Sequence, residues 1–141
     1  MSLVYWDTML FIYLLEADPR FGPRVLRIKE EMTRRGDRLC TSAFTVGEVL
    51  TGPRKRGASD LVAELKGYFA SDEVELIPFT EATADEYSRV RAFHAVFPAD
   101  AIHLASAAQS RSDLFMTNDR RLLGLKVMGI GFVVGLDARV F

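Results

Sequence analysis

Short apolar runs alternate with longer segments whose apolar residues recur every three to four positions, and this alternation continues along most of the chain. Leu3 to Trp6 has the length and character of a buried strand. Thr8 to Leu15 reads as a helix that is apolar nearly all round, which predicts burial. Asp18-Pro19 and Gly22-Pro23 punctuate a loop, and Pro23 suits the first turn of a second helix, where its missing N–H is harmless. That helix turns Val25, Leu26, Ile28 and Met32 inward, sets Arg24, Arg27, Lys29, Glu30 and Glu31 outward, and ends at Gly36.

The same grammar continues. Leu39 to Ser42 predicts a second strand, and Phe44 to Leu50 a helix stopped by Gly52-Pro53, leaving Arg54-Lys55-Arg56-Gly57 as a loop. Ser59 or Asp60 caps a helix running through Phe69, with Leu61, Val62, Leu65 and Phe69 at helical spacing. Val74 to Phe79 predicts a third strand. Thr83-x-x-Glu86 resembles a capping box for a helix carrying Tyr87, Val90 and Phe93, which Pro98 ends. Ala101 to Ala108 is a helix of small residues, suited to close packing on a sheet. Leu114 to Thr117 is a fourth strand, Arg120 to Leu123 a short helical turn, and Gly131 to Val134 a fifth strand. Strands alternating with helices require crossover connections. The expected fold is therefore one α/β domain over residues 1–141, with three layers and a mostly parallel sheet of about five strands. In such sheets, ligands bind beyond the carboxyl ends of the strands.

Composition narrows this picture only a little. A length of 141 residues fits one domain, and 49% apolar with 26% charged residues excludes a disordered chain. The single cysteine, Cys40, excludes an intrachain disulfide and suits a reducing compartment. The start Met1-Ser2-Leu3-Val4-Tyr5-Trp6 meets Asp7 at once, and Met9 to Leu15 closes at Glu16, so neither a secretory signal nor a membrane span is expected and the chain reads as cytoplasmic. The net charge of −1 weighs against bulk electrostatic coating of nucleic acid.

The candidate chemistry lies in four acids. Asp7 follows the first strand, Glu48 lies in the first turns of the helix after the second, Asp100 opens the small-residue helix, and Asp119 follows the fourth strand. In a parallel sheet such positions share one edge, so carboxylates 41, 52 and 19 positions apart can converge. Each also fits a purely structural role. Asp is a favoured N-cap, its charge suits the helix dipole, and Thr45-x-x-Glu48 matches a capping box. Against that, Val4-Tyr5-Trp6-Asp7, Val46-Gly47-Glu48-Val49-Leu50 and Ala99-Asp100-Ala101-Ile102 are strongly apolar settings. Carboxylates converging there repel one another and lose hydration, which a hard divalent cation would offset. With no His or Cys cluster, the donor set points to Mg²⁺ or Mn²⁺ rather than Zn²⁺.

These segments also carry a resemblance. Val4 to Thr8, Thr41 to Val49, Ala99 to Ala107 and Phe115 to Arg121 resemble, in order and over nearly the whole chain, the motif blocks of the PIN domain family. They are most similar to its short single-domain members, typified by VapC toxins of toxin–antitoxin pairs. The resemblance implies a Mg²⁺- or Mn²⁺-dependent ribonuclease using one or two ions. It puts Asp7, Glu48, Asp100 and Asp119 at the acidic metal-site positions and Thr8 and Thr117 where the family often has a hydroxyl beside the acids. It also implies an RNA substrate, a small antitoxin partner and a homodimer. In this scheme Asp7, Asp100 and Asp119 are direct ligands, and Glu48 binds a second metal or acts as base through a water. The cut needs no 2′-hydroxyl, so the products carry 5′-phosphate and 3′-hydroxyl ends.

Other features change less. His103 lies three residues after Asp100 on the same helix face and reads first as a packed, hydrogen-bonded histidine, second as a helper to the metal site. His94 has no motif around it, and Cys40 reads as buried and inert. Gly129-x-Gly131 with Gly135 is no dinucleotide fingerprint, because it opens a strand. Arg120-Arg121 and Arg54-Lys55-Arg56 are either solvated faces or phosphate contacts flanking the cleft. Phe93 and Phe97 face either the core or a partner. Rival readings are a catalytically silent binding module of the same fold and a metal-dependent phosphohydrolase of small phosphate esters. Setting the four acids aside leaves 15 acids against 18 bases, so the rest of the chain is mildly basic and compatible with a nucleic-acid substrate.

Overall fold

The computed structural model describes residues 1–141. Its elements follow in the order β1 (Leu3–Trp6), α1 (Thr8–Leu15), α2 (Gly22–Arg35), β2 (Arg38–Ser42), α3 (Ala43–Lys55), α4 (Ser59–Phe69), β3 (Glu75–Ile77), α5 (Glu81–Phe93), α6 (Pro98–Gln109), β4 (Leu114–Met116) and β5 (Phe132–Val134). The strands form one sheet of order β3-β2-β1-β4-β5, parallel throughout. The expected α/β class and five-stranded sheet are present. No helix is long and apolar enough to cross a membrane.

Side-chain alternation on the central strands sets the layers. Val4 and Trp6 of β1, with Leu114 and Met116 of β4, pack into a core built with α1 to α4. Tyr5 and Phe115 point the other way and pack with Val90 of α5 and Ala101, Leu104, Ala107 and Ala108 of α6. The alanines of α6 let that helix lie close to the sheet, as its small residues predict. Gly36 ends α2 in the left-handed conformation, also as expected. Gly131 has a different purpose: a Cβ there would come within 2.2 Å of the Asp113 carbonyl, so only glycine lets the entry to β5 lie against the start of β4.

Topology locates the site. From β1 the chain steps through β2 to β3 on one side, then returns to lay β4 and β5 on the other. The order reverses between β1 and β4, and a crevice opens at the carboxyl ends of strands at such a point. Met116 pairs with Trp6 there, and the Asp7 N–H donates to the Met116 carbonyl at 3.0 Å.

Several boundaries differ from expectation. Gly52-Pro53 does not stop α3, which continues to Lys55, so Arg54 and Lys55 are helical. Pro53 lies buried in the last turn, where a missing N–H forfeits one bond, and the Arg56 N–H still reaches the Gly52 carbonyl at 3.2 Å. Helix α3 begins at Ala43, with Ser42 as its cap, so Thr45 is the third residue of the helix and not the cap. Helix α4 is preceded by Ala58, not capped by Ser59 or Asp60. Helix α5 starts three residues early: Thr80 is the cap, and the Thr83 hydroxyl accepts the Thr80 N–H at 3.0 Å, doing what a glutamate does in the usual box. Pro98 does not end α5, which stops at Phe93; it opens α6. Strand β3 is only three residues long, and residues 120–124 form a turn rather than a helical segment. Helix α1 is less buried than its all-round apolarity predicts, since Met9 is exposed at the cavity described next.

Candidate active site

Four chain segments deliver the four acids to one cavity of about 260 Å³ at the reversal between β1 and β4. Asp7 leaves β1 as the N-cap of α1. Glu48 projects from the second turn of α3, Asp100 from the first turn of α6, and Asp119 from the turn after β4. Thr8, Tyr13, His103 and Asn118 complete its polar lining. The acids' side chains are 13%, 33%, 19% and 25% exposed in that order, neither sequestered nor freely hydrated. A larger hollow of about 610 Å³, between α2 and the C-terminal tail, holds none of them.

The capping role foreseen for Asp7 is present but accounts for only half of its carboxylate. Oδ1 accepts the Thr8 N–H at 2.8 Å, while Oδ2 accepts the Thr117 hydroxyl at 2.8 Å. Thr117 in turn accepts the Asp119 N–H at 3.0 Å, so one fully buried hydroxyl ties the two aspartates together. Thr8 donates to Glu48 Oε1 at 2.6 Å. Both threonines expected beside the acids are thus bonded to them.

Behind Glu48 runs a relay across the sheet. The Ser42 N–H donates to the Tyr5 hydroxyl at 3.2 Å, and that hydroxyl lies 2.7 Å from His103 Nδ1. His103 Nε2 lies 2.6 Å from Glu48 Oε1, 3.2 Å from Thr8 Oγ1 and 3.6 Å from Asp7 Oδ1. Burial raises the Tyr5 phenol pKa, so Tyr5 keeps its proton and donates it to Nδ1. The neutral tautomer satisfying every partner therefore carries its proton on Nε2 and donates to Glu48. His103 is indeed packed and hydrogen-bonded, and its bonds run to the acidic cluster. Sequence reading missed Tyr5, which looks like any buried strand residue, and Asn118, whose Nδ2 donates to the Tyr13 hydroxyl at 3.1 Å beside the acids.

The electrostatics separate the acids. Burial acts to raise the Glu48 pKa, but the bonds from His103 and Thr8 outweigh it and leave the carboxyl below its ordinary range. Asp119 is also lowered, first by its hydrogen bonds from Arg121. Its Oδ1 accepts Arg121 Nε at 3.0 Å and its Oδ2 accepts Nη2 at 2.5 Å. Asp100 is raised, by burial and then by the charges of Asp7 and Asp119. The site therefore concentrates negative charge that its own cations only partly offset.

All-oxygen donors under mutual repulsion fit a hard divalent cation. As the side chains stand, however, no three His, Cys, Asp or Glu groups converge on one point. Arg121 holds Asp119, and its Nη2 lies 3.8 Å from Asp100 Oδ2. Arg121 is thus at the site. Arg120 is exposed beside it. Arg54, Lys55 and Arg56 are not at the cavity: they close α3, six to eight residues beyond Glu48, and Arg56 pairs with Glu16 at 3.2 Å.

A sequence profile described as "PIN domain" matches residues 4–127. No curated protein matches the chain. Among solved structures, a chain of VapBC2 from Rickettsia felis, bound to a DNA fragment from its promoter, superposes with a TM-score of 0.74 at 13% identity, over 94% of this chain and 98% of that one. A toxin–antitoxin complex from Klebsiella pneumoniae gives 0.68 at 18% identity, over 90% and 94%. VapC20 of Mycobacterium tuberculosis, a toxin that cleaves the sarcin-ricin loop, gives 0.65 at 16% identity, over 79% and 86%.

Proposed function

The chain belongs to the PIN domain family, and from that premise we propose that it is a Mg²⁺- or Mn²⁺-dependent endoribonuclease, the toxin of a toxin–antitoxin pair. The observation that carries this reading is the meeting of Asp7, Glu48, Asp100 and Asp119 at one cavity, with Asp100 raised by burial and by its two aspartate neighbours. Likeness in fold to chains from toxin–antitoxin complexes supports the toxin role, a small antitoxin and a second copy of the chain being its partners.

Asp7, Asp100 and Asp119 would hold the ion, and Glu48 would serve a second ion or orient the attacking water. A bound divalent ion supplies Lewis-acid activation of water and neutralises the phosphodiester. The chain's own residues do the positioning. Thr117 fixes Asp7 against Asp119, and Thr8 and His103 fix Glu48 in its ionised form and in one orientation. Asp119 is held by Arg121 in a largely exposed ion pair, a contact easily exchanged. Attack by water leaves 5′-phosphate and 3′-hydroxyl ends.

The test is incubation of the protein with RNA in EDTA and in Mn²⁺, with product ends identified, beside a thermal melt with and without Mn²⁺. Cleavage and a raised Tm in Mn²⁺ alone, both lost in Asp7→Asn, are expected. Metal-independent cleavage, or intact RNA at every metal concentration, overturns the reading.

A further inference from the structure

A second cavity, of about 550 Å³, adjoins the acidic one, and Asp100 lines both. Its size is within the range of about 300–1,000 Å³ usual for small-ligand pockets. Its other walls include Arg91, His94, Phe97, Arg121 and Leu122. Phe97 has no part in the core: the residue is 59% exposed, yet it is firmly placed. Its carbonyl accepts the Ala101 N–H at 2.9 Å, and Pro98 follows as the first residue of α6. The Arg121 guanidinium lies over the ring, 4.6 Å from its centroid, while the same group grips Asp119. Arg121 therefore joins an exposed aromatic surface directly to the acidic site.

Charge says what this surface suits. Arg91 makes no ion pair; its Nη1 donates to the Tyr87 hydroxyl at 3.0 Å and its charge stays available. Arg121 supplies a second guanidinium, its charge shared with Asp119 and Asp100, and His94 adds ring nitrogens; the cavity's one acid is the Asp100 it shares with its neighbour. Flat aromatic and guanidinium surfaces with cations at their margin are what unpaired bases and their phosphates bind. An acidic protein segment would meet the cations as well; a nucleotide is favoured because the Phe97–Arg121 surface shares Asp100 with the acidic cavity, beside where the RNA backbone has to lie.

We propose that this cavity is a nucleotide subsite: one base of single-stranded RNA stacks on the Phe97–Arg121 surface, and Arg91 and His94 meet its phosphate. The inference rests on the endoribonuclease reading and adds to it the residues that receive a base beside the cut. Nucleotides in a duplex, already stacked on their neighbours, cannot use the subsite.

The experiment compares wild type, Phe97→Ala and Phe97→Trp on a short single-stranded oligoribonucleotide in Mn²⁺. Phe97→Ala is expected to raise KM about tenfold, the size of one lost stacking contact, with the larger share of the loss in KM. Phe97→Trp is expected to restore KM. The native Trp6 is fully buried, so the introduced indole reports on the subsite. Its emission is expected to be quenched by the oligoribonucleotide and not by an abasic ribose-phosphate oligomer of equal length. Cleavage with an unchanged KM in Phe97→Ala, or equal quenching by the abasic oligomer, overturns the subsite while leaving the nuclease intact, and leaves this face to a protein partner. A wild type that neither binds nor cleaves RNA overturns both.

Discussion

The Thr117 hydroxyl donates to Asp7 Oδ2 at 2.8 Å across 110 positions of sequence. It is fully buried and also accepts the Asp119 N–H, so it sets the separation of two acids that arrive from different strands. Thr117→Val keeps the shape and removes both bonds. The expected cost is about 1–3 kcal/mol of stability, from the partners left unsatisfied. Cleavage and Mn²⁺ affinity should fall about 10- to 100-fold, as for other groups that orient metal ligands. Thr117→Ser should recover most of both. Urea titration and Mn²⁺ titration of the three proteins check this.

Tyr5→Phe isolates the relay. The ring stays stacked on Phe115, whose centroid is 5.1 Å away, but the Ser42 N–H loses its acceptor and His103 Nδ1 its donor. A loss of about 1–3 kcal/mol is expected. Without the Tyr5 hydroxyl the ring loses its anchor at Nδ1 and keeps only its contacts at Nε2, so Glu48 is held less firmly and the rate should drop about tenfold. Nitrogen NMR of the His103 ring reports the tautomer in both proteins.

Two glycines should answer an added methyl in opposite directions. Gly131→Ala drives a Cβ into the Asp113 carbonyl and should cost at least about 3 kcal/mol. At Gly47, inside α3, nothing lies within 4 Å of the added atom. Gly47→Ala should therefore stabilise by about 0.5–1 kcal/mol through helix propensity. Thermal melts of the two variants decide it.

Cys40 makes stability depend on alkaline pH. Burial pushes its thiol up to about 11. An unfolded thiol ionises near about 8.5, so between that value and 11 the unfolded chain releases its proton first. Stability therefore falls as pH rises through this window, by on the order of 2 kcal/mol at its top, and is unaffected by this group at neutral pH. Urea midpoints at pH 8 and 10.5 should diverge more in wild type than in Cys40→Ala.

What was legible in the sequence follows from distance along the chain. Periodicity and strand-end acids are local signals, so the layers, the sheet and the four carboxylates could be read from neighbours. Where a local signal had two uses, the reading went wrong. Pro98 ends one helix in pattern and opens the next in fact, and Pro53, a breaker by pattern, sits inside the last turn of α3. Thr83 matches one capping box by spacing and serves in another by its hydroxyl. The connections within the site were not legible. Tyr5 meets His103 across 98 positions and His103 meets Glu48 across 55, and nothing near any of the three announces the others. The seat of Arg121 on Phe97 depends likewise on how a turn after β4 lies against the start of α6.

The reversal of strand order divides the acids evenly along the chain. Asp7 and Glu48 come before β3, Asp100 and Asp119 after α5. A chain emerging from its N-terminus can build β1, β2 and β3 while holding only half of its carboxylates, and the hydroxyl that ties Asp7 to Asp119 is not made until β4 is complete. On the proposed nuclease reading, a fragment that ends before Asp119 lacks part of the acidic site, so the chemistry is expected only once β4 and the turn after it have been made.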